Sequence, residues 1–233
     1  SRTLSPTIDF SDSKEEQRKV FKKLAKKIGV DGKTARRAFE KADKAQAEFT
    51  RKLKEAGRRF IEELEVNPNE IGIVLFGRPY NSFAEEANKG INLKFASKGV
   101  KIVPFDMLSL EGFRLEEESN MFWAMGRFIL QCARFVSNHP QLFPLYITNF
   151  SCGPDSFILT YFRDIMGVKP SLILELDSHT ADAGIETRIE AFLDIIDSYK
   201  SLRQSDSKQI AKAPYKPAEI IEDQKSLMIR LSS

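Results

Sequence analysis

The sequence predicts an α/β fold built on a small parallel sheet, and three observations predict it. Four short, apolar, β-rich runs recur along the chain: "IGIVLFG" (71–77), "VKIVPFD" (100–106), "LFPLYITNF" (142–150) and "PSLILELD" (170–177). Runs of this kind suit strands buried on both faces. Between and after them lie segments whose apolar residues step by three and four, the period of a helix. The residues that follow each run are polar, as at the ligand-bearing carboxyl edge of such sheets.

The elements follow in order. Ser13 stands three residues before Glu16, as in a capping box, and Val20, Phe21, Leu24, Ala25 and Ile28 form one helical stripe that Gly29 ends. A longer stripe runs through Ala35, Phe39, Phe49, Leu53, Phe60 and Leu64 to "NPN" at 67–69. The first strand, 71–77, comes next. "SFAEEANKGINLKFASKG" reads as a helix interrupted by glycine, and 100–106 as the second strand. "ESNMFWAMGRFILQCARFVSNHP" is an apolar helix stopping at Pro140. In the third strand, 142–150, Pro144 is expected to keep the first residues out of the ladder. "DSFILTYFRDIMG" is helical, 170–177 the fourth strand, and "IETRIEAFLDIIDSY" a closing helix with Ile185, Ile189, Phe192, Leu193 and Ile196 on one face.

Strands alternating with helices imply βαβ crossovers and a flavodoxin-like or Rossmann-like sheet. Three parts are expected: a helical lead-in over 1–69, an α/β domain over 70–200, and a polar extension over 201–233 that is loose or wraps the surface.

Composition limits the function classes. Of 233 residues, 42% are hydrophobic and 30% charged, an ordinary composition for a soluble globular protein. No run approaches the ~20 apolar residues of a membrane span. The opening "SRTLSPTIDF" lacks an initiator Met and the parts of a signal peptide, so either such a peptide has been removed or, as expected here, the chain is an excised piece; two isolated cysteines fit a reducing cytoplasm. Net charge is only +3, yet residues 1–69 carry 18 Lys+Arg against 12 Asp+Glu. Interleaved acids and the lack of an aromatic stacking pattern favour a solvated helical face over a nucleic-acid surface.

Cys132 and Cys152 lie twenty positions apart, with no CxxC and no histidines at ligand spacing, which excludes a self-contained zinc site or disulfide framework. In "NFSCGPDSF" (149–157) Gly153 permits a tight turn and Pro154 suits a first helical turn. Cys152 is thereby placed at a strand-to-helix junction, near unpaired amides and the positive end of a helix dipole, where thiolate is favoured. It reads as a nucleophile, an iron-sulfur ligand, or a small buried residue. Cys132, mid-helix between Leu130 and Phe135, reads as core. A thiol enzyme would need a base; His139 precedes Pro140, leaving His179 in "LDSHTADAG" as the candidate, or as a residue that orders its own loop with Asp177 and Asp182.

"FGRPYNS" contains no dinucleotide or P-loop fingerprint. Arg78 suits either a bound phosphate or carboxylate, or a buried salt bridge to Asp106 or Asp177. Asn81 and Ser82 suit caps of the following helix.

Taken together, "VLFGRPYN", "LYITNFSCGPDSF", "KPSLILELDSHTADAGIETRIEAFLD" and the helical lead-in resemble 2-hydroxyacyl-CoA dehydratase-type iron-sulfur proteins. More closely, they resemble the dehydratase-like region of large bacterial CoA-substrate-specific enzyme activase proteins, over roughly residues 5–200. The resemblance implies a [4Fe-4S] cluster, an actin-like-fold ATPase activase module as electron-donating partner, and an acyl-CoA as substrate of the system. It makes Cys152 a cluster ligand, with Arg78, Tyr80, Asn81, Asp155, Ser156, His179 and Asp182 lining the strand-end crevice. A cluster takes three or four thiolates, so the remaining ligands are expected outside this chain. The same resemblance allows a non-catalytic interaction or scaffold domain that has lost the cluster.

Overall fold

The computed structural model describes residues 3–111, 121–149, 152–177 and 182–212. It is an α/β structure with one four-stranded, all-parallel sheet in the order β2-β1-β3-β4. The strands are β1 (Gly72–Gly77), β2 (Lys101–Pro104), β3 (Leu142–Asn149) and β4 (Leu172–Leu176). This is the flavodoxin-like or Rossmann-like arrangement expected.

Two helices precede the sheet. Helix α1 (Lys14–Lys27) begins at Ser13, whose side chain accepts from the Glu16 amide, and α2 (Gly32–Val66) begins at Asp31, which accepts from Lys33 and Thr34. The connection after β1 breaks into α3 (Pro79–Ser82), α4 (Glu85–Asn88) and α5 (Ile91–Ser97), with Gly90 at φ +62° marking the expected interruption. A 3-10 turn at Phe105–Met107 ends β2, so the second strand is shorter than its apolar run. Helices α6 (Ala124–Asn138), α7 (Gly153–Met166) and α8 (Asp182–Lys212) complete the described residues.

Alternation along the strands sorts side chains between two cores. Val74, Phe76 and Tyr146 face α2, α6 and α7, meeting Phe60, Leu64, Ile129 and Phe162. Ile73, Leu75, Phe143, Leu145 and Ile147 face α5 and α8, meeting Phe95, Ile189 and Phe192. Both faces of the sheet are therefore covered, as an all-parallel sheet requires.

Two expectations are corrected. Leu142, Phe143 and Pro144 are in the ladder, registered with Gly72, Ile73 and Val74. β4 pairs with β3 only from Leu145 onward, so proline's missing N–H interrupts no ladder on that flank. The closing helix also runs past Tyr199 to Lys212, because "KSLRQSDSKQIAK" contains neither glycine nor proline to stop it.

The topology defines one special point on the sheet edge. After β1 the chain moves to β2 through helices on the α5 side; after β3 it moves to β4 through α7 on the opposite face. The carboxyl ends of neighbouring β1 and β3 thus diverge in opposite directions and leave a crevice, the switch point where open α/β sheets bind ligands.

Candidate functional site

Two strand exits build this site. At the first, Gly77 sits at φ +139°, and a Cβ there would lie 2.2 Å from Ser82 Oγ and 2.4 Å from Ile147 O. Only glycine lets β1 turn so tightly against β3. Arg78 follows and caps α3 through its carbonyl, which accepts from the Asn81 and Ser82 amides at 2.8 and 3.0 Å. Ser82 Oγ donates back to Phe76 O at 3.1 Å. The expected caps at Asn81 and Ser82 are thus replaced by a turn in which Pro79 takes the first helical position.

At the second exit Cys152 is the N-cap residue of α7, as its sequence predicts, with Gly153 and Pro154 opening the helix. Its amide donates to Asn149 O at 3.2 Å and its carbonyl accepts from the Ser156 amide at 2.9 Å. The Ser156 hydroxyl, on the exposed side, also donates to that carbonyl at 2.9 Å.

The exits meet through Arg78. Its Nη2 donates to Cys152 Sγ at 2.7 Å, while its Nε stands 3.5 Å from Asp155 Oδ1. Asp155 is fully buried and also accepts from Thr148 Oγ1 at 2.8 Å and Tyr146 Oη at 3.4 Å. Burial, reinforced by the Asp155 carboxylate, raises the Tyr146 phenol's pKa above its ordinary value, so it acts only as a donor. The Arg78 guanidinium lies 4.7 Å from the Tyr80 ring centre, which holds its plane from the solvent side.

The acidic partner of Arg78 is therefore Asp155, correcting the expected Asp106 or Asp177. Asp106 lies in the turn after β2, where burial raises its pKa and Lys54 opposes the rise. Asp177 lines the crevice with Tyr80, Asn81, Glu86, Lys89 and Asn149, enclosing about 500 Å³. Asn81 is buried, and among the described residues its Nδ2 has no hydrogen-bond partner.

Of the other candidates, Asp182 stands at the start of α8 and faces Lys94 of α5 at 3.9 Å, away from the Arg78–Cys152 pair. His179 lies outside the described residues. His139 is held by Glu65 at 3.3 Å and by the Gln141 amide, at the far end of the sheet beside Gln141 and the start of β1. Cys132 is core, as expected: fully buried, its thiol 3.6 Å from Phe105 O and its pKa pushed up to about 12, chiefly by burial.

Reading the sequence misses Tyr146 and Thr148. The signal was present: alternate residues of β3 share one face, the face on which the first turn of α7 lies.

Among the described residues no group of three or more His, Cys, Asp or Glu side chains could hold a metal ion. The thiols present do not fit an iron-sulfur cluster unaided, since Cys132 is buried in the core under α6 and Cys152 alone is partly exposed; Cys152, Arg78, Asp155 and Ser156 stand beside the crevice rather than in its lining.

The fold and site thus define a doubly wound α/β domain with an arginine-held thiol at its switch point. Residues 1–108, spanning the helical arm, β1, Arg78 and β2, match the family described as "CoA enzyme activase uncharacterised domain". The matched segment includes Arg78 and stops short of Cys152. No curated protein and no solved structure matches the chain.

Proposed function

We propose that this chain is a dehydratase-like accessory domain of a CoA-substrate-specific enzyme activase system, and that Cys152 supplies one thiolate of an iron-sulfur site completed by cysteines outside it. The observation that carries this reading is the hydrogen bond from Arg78 Nη2 to Cys152 Sγ, across the switch point. A guanidinium fixed by a buried carboxylate offers a charge-assisted hydrogen bond to an anionic sulfur. The family match over residues 1–108 supports the activase context. A [4Fe-4S] cluster would supply one-electron chemistry there. The part of this chain is to present the sulfur at the sheet edge, to hold it with Arg78, and to leave the crevice beside it open to an acyl-CoA or a partner.

The electron donor in this reading is an actin-like-fold ATPase activase, in the same parent protein or separate. Mixing the protein, anaerobically reconstituted together with its flanking sequence, with such an activase, ATP and a chemical reductant, and following electron paramagnetic resonance, tests the proposal. A new signal that requires ATP and is lost in Cys152→Ala supports it; a signal indifferent to ATP or to Cys152 opposes it.

A second reading is a non-catalytic interaction domain that has kept the fold and lost the cluster. It is favoured by the self-contained network in which Asp155 already engages Arg78, Thr148 and Tyr146. It predicts a protein that takes up no iron with any flanking sequence, yet still binds the activase.

A further inference from the structure

The sheet-packed part of α2 begins near Lys54, whose Nζ donates to Leu108 O at 2.7 Å, and ends at Leu64, which meets Gly72 at the start of β1. Helix α2 therefore descends from the carboxyl edge of the sheet to its amino edge. Its residues 32–53 project about 30 Å beyond the carboxyl edge, at 1.5 Å per residue. Helix α1 returns along this projection as an antiparallel hairpin, with Lys14 against Asp43 and the Phe21 ring 5.4 Å from Phe39. The turn between them passes through Gly29 at φ +78°.

Two helices do not close a core. The hairpin buries only Gln17, Ala25 and Ala35, and leaves an apolar groove of about 710 Å³ along the seam, lined by Phe21, Leu24, Ile28, Ala38 and Phe39. Ile28 is 60% exposed and Phe10, at the groove's end, 75%. An amphipathic seam of this kind is completed by a third helix that inserts side chains at helical spacing.

Charge selects the occupant. Lys22, Lys23, Lys26, Lys27, Lys33, Arg37, Lys41 and Lys44 are exposed and form no ion pair among the described residues. Over residues 14–52 there are 14 Lys+Arg and 6 Asp+Glu, a net of +8. A second copy of this hairpin would set cations against cations. A flat anionic membrane would meet the cations but leave a concave seam unfilled.

We infer that the α1–α2 hairpin is a docking arm for an amphipathic helix of a partner protein, apolar on the inserted face and acidic over the rest of its surface. The arm projects from the same edge of the sheet as Cys152. The inference rests on the groove and its charge, and is independent of any cluster at Cys152.

The test uses the full chain and a fluorescein-labelled synthetic helix of about 18 residues, with Leu at i, i+3, i+4 and i+7 and Glu on the flanks. Anisotropy titration is expected to show saturable binding that weakens about tenfold for Ile28→Asp and for the triple change K22E/K26E/K41E. A peptide with Lys in place of Glu is expected to bind at least about tenfold more weakly. All altered positions are exposed, and unchanged circular dichroism and melting confirm that the variants fold. Equal binding of the two peptides, no loss in either variant, or no saturable binding overturns the inference. So does Ile28-dependent self-association, or preferential binding to vesicles containing about 30% phosphatidylserine or to a DNA duplex.

Discussion

Arg78 and Cys152, 74 residues apart in sequence, are joined by a 2.7 Å hydrogen bond that spans the exits of two neighbouring parallel strands. Neither strand exit alone makes a site. The pair exists because β1 and β3 are adjacent and their following helices depart to opposite faces.

The two thiols are expected to differ sharply in reactivity. Native protein treated with an anionic aromatic disulfide should modify Cys152 alone, with Cys132 reacting only after denaturation, because burial holds its thiol pKa near 12. Arg78→Met should slow the Cys152 reaction about three- to tenfold by removing the neighbouring cation that draws in the reagent. A neutral alkylating agent should show a smaller change. Peptide mapping of the labelled protein checks the assignment.

Asp155 is the buried member of the network, and its loss strands the Thr148 and Tyr146 hydroxyls and leaves Arg78 without its carboxylate. Asp155→Ala is expected to destabilise the fold by about 3 kcal/mol, as when one partner of a buried charge pair is removed. Thr148→Val should cost less, about 1 kcal/mol, because the carboxylate keeps its other contacts. Urea unfolding of the three proteins measures the difference.

Gly57 fixes α2 to the turn after β2, since a Cβ there would stand 2.0 Å from Met107 O. Backbone on both sides leaves little room to yield. Gly57→Ala is expected to lower stability by about 2 kcal/mol or more despite alanine's better helix propensity. Thr50→Ala, on the solvent face of the same helix, should be near neutral.

His139 gives a stability contribution that depends on pH. Burial lowers its pKa below the ordinary value, with Glu65 opposing the shift and Lys169 adding to it. A depressed folded-state pKa means the contribution is complete above about pH 6.5 and lost as pH falls through the folded value. The melting temperature should therefore drop as pH falls below about 6.5, with a shallower drop in His139→Gln. Equal slopes in the two proteins would contradict this origin.

Much of the fold was legible because it rests on local periodicity. The four apolar runs, the helix cap at Ser13 and the glycine break at Gly90 all appear where residue pattern places them. Pro144 stays in the ladder because pairing on each flank of a strand depends on where its neighbours begin, which sequence does not carry. Cys152 at a helix N-terminus was readable from Gly-Pro-Asp. Its partner was not: the order β2-β1-β3-β4 decides that Arg78 lies beside it, and that order is a tertiary fact. Asp155, expected along the crevice, is instead the buried anchor of Arg78.

The central claim is that Cys152 is one ligand of an iron-sulfur site shared with sequence outside this chain. Iron and acid-labile sulfide, measured after anaerobic reconstitution of the protein together with its flanking sequence, test it most directly against Cys152→Ala. The expected result is a marked loss of both in the variant, with the isolated chain binding little of either. Iron and sulfide unchanged by Cys152→Ala would contradict the claim and remove Cys152 from the ligand set.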